Sequence, residues 1–191
     1  MIKSLCLLSG GQARQWRSKI KNARSIHDRP QEANNRTVSG HREGDLIIGG
    51  THSQIATLVD RVTRKVDLVQ LKDRSATHLT AALTHYLSNR VIDDLKTLTW
   101  DRGMELADHH NLTRATGIDV FFADPHSPWQ RGTNENTNGL IRQYLPKKTD
   151  LSTFSQADLD RIAGQLNNRP RKCLGYKTPL EVEQSSVALT I

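Results

Sequence analysis

The segment GDLIIGGTHSQIATLVDRVTRKVDLVQL, Gly44 to Leu71, decides the fold. It holds three short apolar runs rich in β-branched residues, GDLIIGG, IATLVDRV and KVDLVQL, parted by Gly-containing or polar turns. Runs of that length between turn formers predict three consecutive antiparallel strands. Next, SATHLTAALTHYLSNR sets Leu79, Ala82, Leu83, Tyr86 and Leu87 at helical spacing behind Ser75, whose hydroxyl suits an N-cap. LKTLTW, residues 95–100, reads as a fourth strand, a helix is predicted over Gly103 to Thr116, and GIDVFFA, residues 117–123, reads as a fifth strand. Two more helices follow, over 131–145 up to Pro146 and over 155–167, where Leu159, Ile162, Ala163 and Leu166 share a face. Three strands followed by alternating helices and strands make an α/β architecture: a mixed five-stranded sheet flanked by helices.

A chain of 191 residues with 36% hydrophobic content carries one main globular core and a short appendage. Lys and Arg number 27 against 20 Asp and Glu, a net charge of +7 with a pI near 9.7, which points to a polyanionic partner. Residues 12–36, QARQWRSKIKNARSIHDRPQEANNR, carry Arg14, Arg17, Lys19, Lys21 and Arg24 before their first acid, Asp28. With little apolar periodicity, residues 1–36 are expected to form a basic arm or linker that binds a phosphate backbone, 37–185 the core and 186–191 a tail. Cys6 and Cys173 lack disulfide-framework or zinc spacing, which fits a reducing cytoplasm. The adjacent His109 and His110 point in different directions on a helix and read as surface residues. The opening MIKSLCLLSGG is too short in apolar residues for a signal peptide, and no later stretch approaches a membrane span, so a soluble chain is expected.

Asp45 interrupts the first strand, where a carboxylate needs a partner or a cation. Asp101 directly follows the fourth strand in KTLTWDRG, at the carboxyl end where open α/β sheets place their ligand sites. A third acid, Glu135, lies 33 intervening residues later in WQRGTNENTNGLIRQYLPKK, Trp129 to Lys148. Asn134, Asn136, Thr137 and Asn138 surround it, residue types that favour caps and turns over helix interiors. On a helix, Arg131, Glu135, Asn138 and Arg142 share one stripe, opposite Leu140, Ile141, Tyr144 and Leu145. Three converging acids repel one another unless cations join them, and Mg²⁺ suits a few carboxylates plus phosphate oxygens. Two such ions would activate a hydroxyl and stabilise the leaving oxygen of a phosphodiester. The competing reading makes each acid a cap or a solvated charge, and Asp60, Asp67 and Glu105 are rival carboxylates.

With HREGDLIIGG, LTWDRGMEL, FFADPHSPWQRGTNENTNGLIRQYLPKKTDL and LNNRPRKCLGYKTPLE taken together, the chain resembles the insertion-sequence-30 family of bacterial DDE transposases from about Ser25 to Glu181. That resemblance implies a ribonuclease H-like fold of the retroviral-integrase type, with Asp45, Asp101 and Glu135 as catalytic and metal-holding acids. It implies a cytoplasmic bacterial enzyme using Mg²⁺, with Mn²⁺ as a substitute, to cleave element ends and join them to target DNA as a homodimer or higher oligomer. Arg131, Asn138, Arg142, Trp129, Gln130, Lys147 and Lys148, with Arg14, Arg17, Lys19 and Lys21 of the arm, are the expected DNA contacts; a core role is the alternative for Trp129. Relatives usually carry an aromatic residue where Arg42 stands and a glycine where Lys148 stands. Their amino-terminal helix-turn-helix is represented here only by the basic segment, so the alternative function is a truncated, non-catalytic DNA-binding or dimerising remnant.

Overall fold

The computed structural model describes residues 20–73, 75–88 and 95–188, without the side chains of 187 and 188. Its centre is a mixed sheet of six strands: β1 (Arg24–Ser25), β2 (His41–Ile48), β3 (Gln54–Asp60), β4 (Val66–Gln70), β5 (Thr97–Trp100) and β6 (Asp119–Phe122), in the order β1-β6-β5-β2-β3-β4. The predicted antiparallel trio is β2, β3 and β4, while β5 and β6 run parallel to β2. The sequence reading of five strands is corrected to six. β1 spans two residues, too few for a periodic signal, and lies parallel to β6 with Arg24 beside Phe121. Part of the basic segment is therefore folded onto the sheet, with Ile20, Ile26 and Ala33 buried and a short helix, α1, at Gln31–Asn35. Arg14, Arg17 and Lys19 lie outside the described residues; Lys21 is exposed.

Helices cover both faces. On one, α2 (Ala76–Ser88) and α3 (His109–Thr116) enclose Leu79, Leu83, Leu112, Leu98 and Trp100. On the other, α4 (Gly132–Ile141) and α5 (Gln156–Asn167) pack Ile141, Leu159, Ile162 and Leu166 against Ile47, Ile55 and Leu68. A last helix, α6, spans Pro179–Ala188. Capping follows the sequence: the Ser75 hydroxyl accepts the His78 amide at 3.2 Å, and Ser155 with Asp158 forms a reciprocal box at the start of α5.

The helix expected over 103–116 is broken into a short 3-10 turn, Met104–Leu106, and α3, with the Asp108 carboxylate between them accepting from the Asn111 side-chain NH₂ at 2.6 Å. α4 ends before the expected 145, in a tightened turn where Tyr144 donates back to Ile141 at 2.9 Å ahead of Pro146. His109 is buried edge-on to Phe122, at a ring separation of 5.0 Å, which corrects its expected surface position; the apolar α2–α3 layer outweighs its polarity.

β4 is an edge strand, and α5 caps its outer backbone groups. Asn167 accepts the Val66 amide at 2.8 Å and donates to the Val66 carbonyl at 2.8 Å, while Gln156 accepts the Gln70 amide at 2.9 Å and donates to the Leu68 carbonyl at 2.7 Å. Two side-chain amides thus replace a neighbouring strand and block edge-to-edge pairing. Gly44 in β2 admits the Trp100 ring, since a Cβ there would lie 2.1 Å from it.

Candidate active site

Asp45 on β2 and Asp101, just beyond β5, come together around one cation. Arg131, at the end of the 3-10 turn Pro128–Arg131, has Nη1 3.4 Å from Asp45 Oδ1 and Nη2 3.5 Å from Asp101 Oδ2; it also donates to the Gly44 carbonyl at 3.1 Å. Those ionic distances exceed the usual 2.7–2.9 Å of a tight charge-assisted bond, so the guanidinium offsets one of the two negative charges without gripping either acid. Each carboxylate is otherwise oriented by N–H groups. Leu46 N–H and the Asn138 amide donate to Asp45, each at 2.9 Å, and Gly103 N–H donates to Asp101 at 2.9 Å. Burial pushes the Asp45 carboxyl above its ordinary value; Arg131 and the Leu46 amide pull it back, and the Asp101 charge pushes it up again.

Glu135 sits in the first turn of α4, exposed. Arg131, four residues before it, and Asn138, three after it, both reach Asp45, so the backbone sets Glu135 on the stripe facing the two aspartates. Its carboxylate is not gathered with theirs: among the described residues no three His, Cys, Asp or Glu side chains cluster as a metal site. The rival acids have structural partners or lie beside the pair. Asp60 accepts the Val62, Thr63 and Gly40 amides at 2.8, 2.8 and 2.7 Å. Asp67 pairs with the buried Arg42 and accepts the Tyr86 hydroxyl at 3.2 Å. Arg42, where relatives were expected to carry an aromatic residue, is thereby neutralised. Glu105 converges on Asp101: a Cβ at Gly103 would lie 1.8 Å from Glu105 Oε2 and 2.8 Å from Asp101 Oδ1.

The residues expected to touch DNA divide into free and committed groups. Trp129 is 72% exposed, which removes the core alternative, and Lys147 and Lys148 are exposed. Gln130 is engaged within its loop, accepting the Asp124 amide at 2.8 Å and donating to the Asp124 carboxylate at 2.9 Å. Arg142 donates to the Ile48 carbonyl at 2.9 Å and the Leu145 carbonyl at 3.4 Å.

Sequence reasoning missed the polar network beneath the site. Glu43 is 0% exposed; it pairs with buried Arg61 and accepts the Asn134 amide at 2.9 Å, satisfying a donor at the start of α4. Thr57 on β3 donates to Asn134 at 3.1 Å, and Arg64 donates to Thr133 at 2.6 Å. Arg61 Nε donates to the Ala33 carbonyl at 2.9 Å, while Arg29, lowered to about 10 by burial and then by the Arg61 charge, donates to Thr99 at 3.0 Å. The Asn- and Thr-rich start of α4 is thus the docking face of the helix on a polar strip of sheet. The available signal was the run His41, Arg42, Glu43, three polar residues entering a central strand.

Residues 37–128 match the integrase core domain family. The chain is 53% identical over 171 residues to the transposase InsI for insertion sequence element IS30A of Escherichia coli, covering 90% of this chain and 45% of that protein. It is 39% identical to the transposase for insertion sequence element IS4351 of Bacteroides fragilis, covering 85% and 52%. The chain therefore spans about half the length of these relatives. The catalytic core domain of BIV integrase shares the fold with a TM-score of 0.58 at 18% identity, over 80% of this chain and 98% of that one. Sequence similarity along most of the chain and the ribonuclease H-like sheet together make this protein a homologue of the insertion-sequence-30 transposases, built on an integrase core.

Proposed function

We propose that this chain carries the catalytic centre of a DNA transposase, cleaving phosphodiesters at element ends and transferring the freed strand to target DNA. The observation that carries this reading is the Asp45–Arg131–Asp101 bridge, one acid on β2 and one just beyond β5 arranged around one positive charge. Arg131 stands in for a metal ion, and the hard carboxylate oxygens on either side suit Mg²⁺ or Mn²⁺. Asp45 and Asp101 would hold the metal, with Glu135 joining after its side chain or the first turn of α4 moves inward. When bound, the ions would activate the attacking oxygen and stabilise the leaving oxygen of an in-line displacement.

The chain's own residues prepare that step. Leu46 and Gly103 amides and the Asn138 side chain fix the two carboxylates, lowering the rearrangement needed to receive a metal ion. Arg131, once released from the acids, would pair with a phosphate oxygen beside them, and exposed Trp129 offers a surface for a base. Joining two element ends calls for two copies of the chain on DNA.

The test is incubation of the chain with element-end duplex and Mg²⁺ or Mn²⁺. Nicked or joined products are expected, and Asp101→Asn should abolish them; nicking that survives this substitution unchanged would refute the assignment. The surface position of Glu135 favours one second reading, a DNA-binding chain without chemistry. Its signature is salt-sensitive binding with no metal-dependent product.

A further inference from the structure

The motif LNNRPRKCLGYKTPLE has no part in the carboxylate centre, yet it builds an ordered basic loop between α5 and α6. From Arg161 to Leu180 the chain has five cations and no acid. Among the described residues, Arg169, Arg171, Lys172 and Lys177 form no ion pair. Nearby Arg64 adds a sixth cation: it is held below its ordinary value by burial first and by Arg36 next, with Cys173 of the loop acting oppositely.

This loop is clamped rather than loose. Tyr176 N–H donates to the Arg171 carbonyl at 2.9 Å, Arg171 N–H to the Lys177 carbonyl at 3.0 Å, and the Arg171 side chain to the Leu166 carbonyl at 3.0 Å. Arg169 reaches Gln143 beyond α4 at 2.9 Å, and Thr178 with Glu181 caps α6 through reciprocal bonds of 2.7 and 3.1 Å. At its tip Tyr176 adopts a left-handed φ of 65° and is 72% exposed. A bulky residue held in that conformation without burial gains no packing in return, and such strain gathers where a surface is used.

We infer that loop 169–177 is a DNA-docking surface, on which Arg169, Lys172 and Lys177 take successive phosphates and Tyr176 stacks on an unpaired base. Because the loop is already ordered, binding loses little conformational freedom. The loop joins the proposed centre through one element: Arg64 beneath it bonds Thr133, and Thr133 follows Arg131 by two residues in the first turn of α4. A strand bound here would run toward the carboxylates. The inference rests on the proposed transposase reading for the identity of the polymer.

The experiment measures binding of the full chain to a fluorescein-labelled single-stranded oligonucleotide by anisotropy across a salt series. Lys172→Ala with Lys177→Ala should flatten the slope of log affinity against log salt by about 1.4, the effect of two lost phosphate contacts. Tyr176→Gly should weaken binding at least about fivefold while its thermal midpoint stays level or rises, because glycine relieves the left-handed strain. A purely structural tyrosine would lower the midpoint and leave affinity intact. An unchanged salt slope in the double variant, or wild-type affinity in Tyr176→Gly, overturns the inference. Asp101→Asn separates the two proposals: lost nicking with normal anisotropy binding reports on the metal centre alone.

Discussion

Glu43→Gln tests whether the buried network carries the site. The carboxylate is 0% exposed and serves two donors, Arg61 through one oxygen and the Asn134 amide, at 2.9 Å, through the other. Glutamine keeps the shape but supplies only one oxygen. Whichever way its amide turns, its NH₂ faces either the Arg61 guanidinium or the Asn134 N–H, and Arg61 remains buried without a counter-charge. Breaking a buried pair on one side costs about 3–5 kcal/mol. The loss of a charged acceptor, about 1.5–3 kcal/mol, overlaps with that figure because one carboxylate serves both partners. A destabilisation of about 4 kcal/mol follows, a large share of the roughly 5–15 kcal/mol that holds a domain folded. At about 2–4 °C per kcal/mol, the thermal midpoint should fall by about 8–16 °C. Urea titration followed by far-ultraviolet circular dichroism reads the free energy directly. Pairing Glu43→Leu with Arg61→Met should recover at least half of the loss, since neither charge is then buried. A Glu43→Gln free energy within about 1 kcal/mol of the parent would refute the reasoning.

Two further outcomes follow from the same geometry. For Asp45→Asn, the raised folded value of this carboxyl sets the sign: its contribution to stability is fully present below the ordinary unfolded value of about 3.9 and is lost as pH rises through the folded value, so the variant should gain on the parent toward neutral pH and lose that advantage in acid. Urea midpoints measured across pH check this, and a gap that widens in acid would contradict it. Asn167→Ala leaves both Val66 backbone groups without their partner and opens the β4 edge; a loss of about 1–3 kcal/mol and concentration-dependent growth in light scattering are expected, whereas an unchanged midpoint and a single monodisperse peak would show that the edge needs no cap.

Local chemistry makes some elements legible in one dimension. Strands β2, β3 and β4 announce themselves because β-branched runs between polar turns have few alternatives, and α2 and α5 because their apolar residues recur at helical spacing behind Ser75 and Ser155. Asp45 and Asp101 stand out for a related reason, since a charge in or beside a buried strand requires a partner. β1 was hidden because a two-residue strand exists only through pairing with β6, and buried His109 because its neighbours come from distant segments.

The order of residues alone established the α/β layering, the basic surface and the two strand-borne acids, because periodicity and charge act over a few neighbours. Only tertiary structure decided that Arg131 would bridge those acids, that Glu43 would lie sealed beneath α4 with Arg61, and that Glu135 would remain at the surface. Those outcomes depend on which distant groups share a desolvated space, where a buried charge must be matched by whatever the packed elements bring within reach.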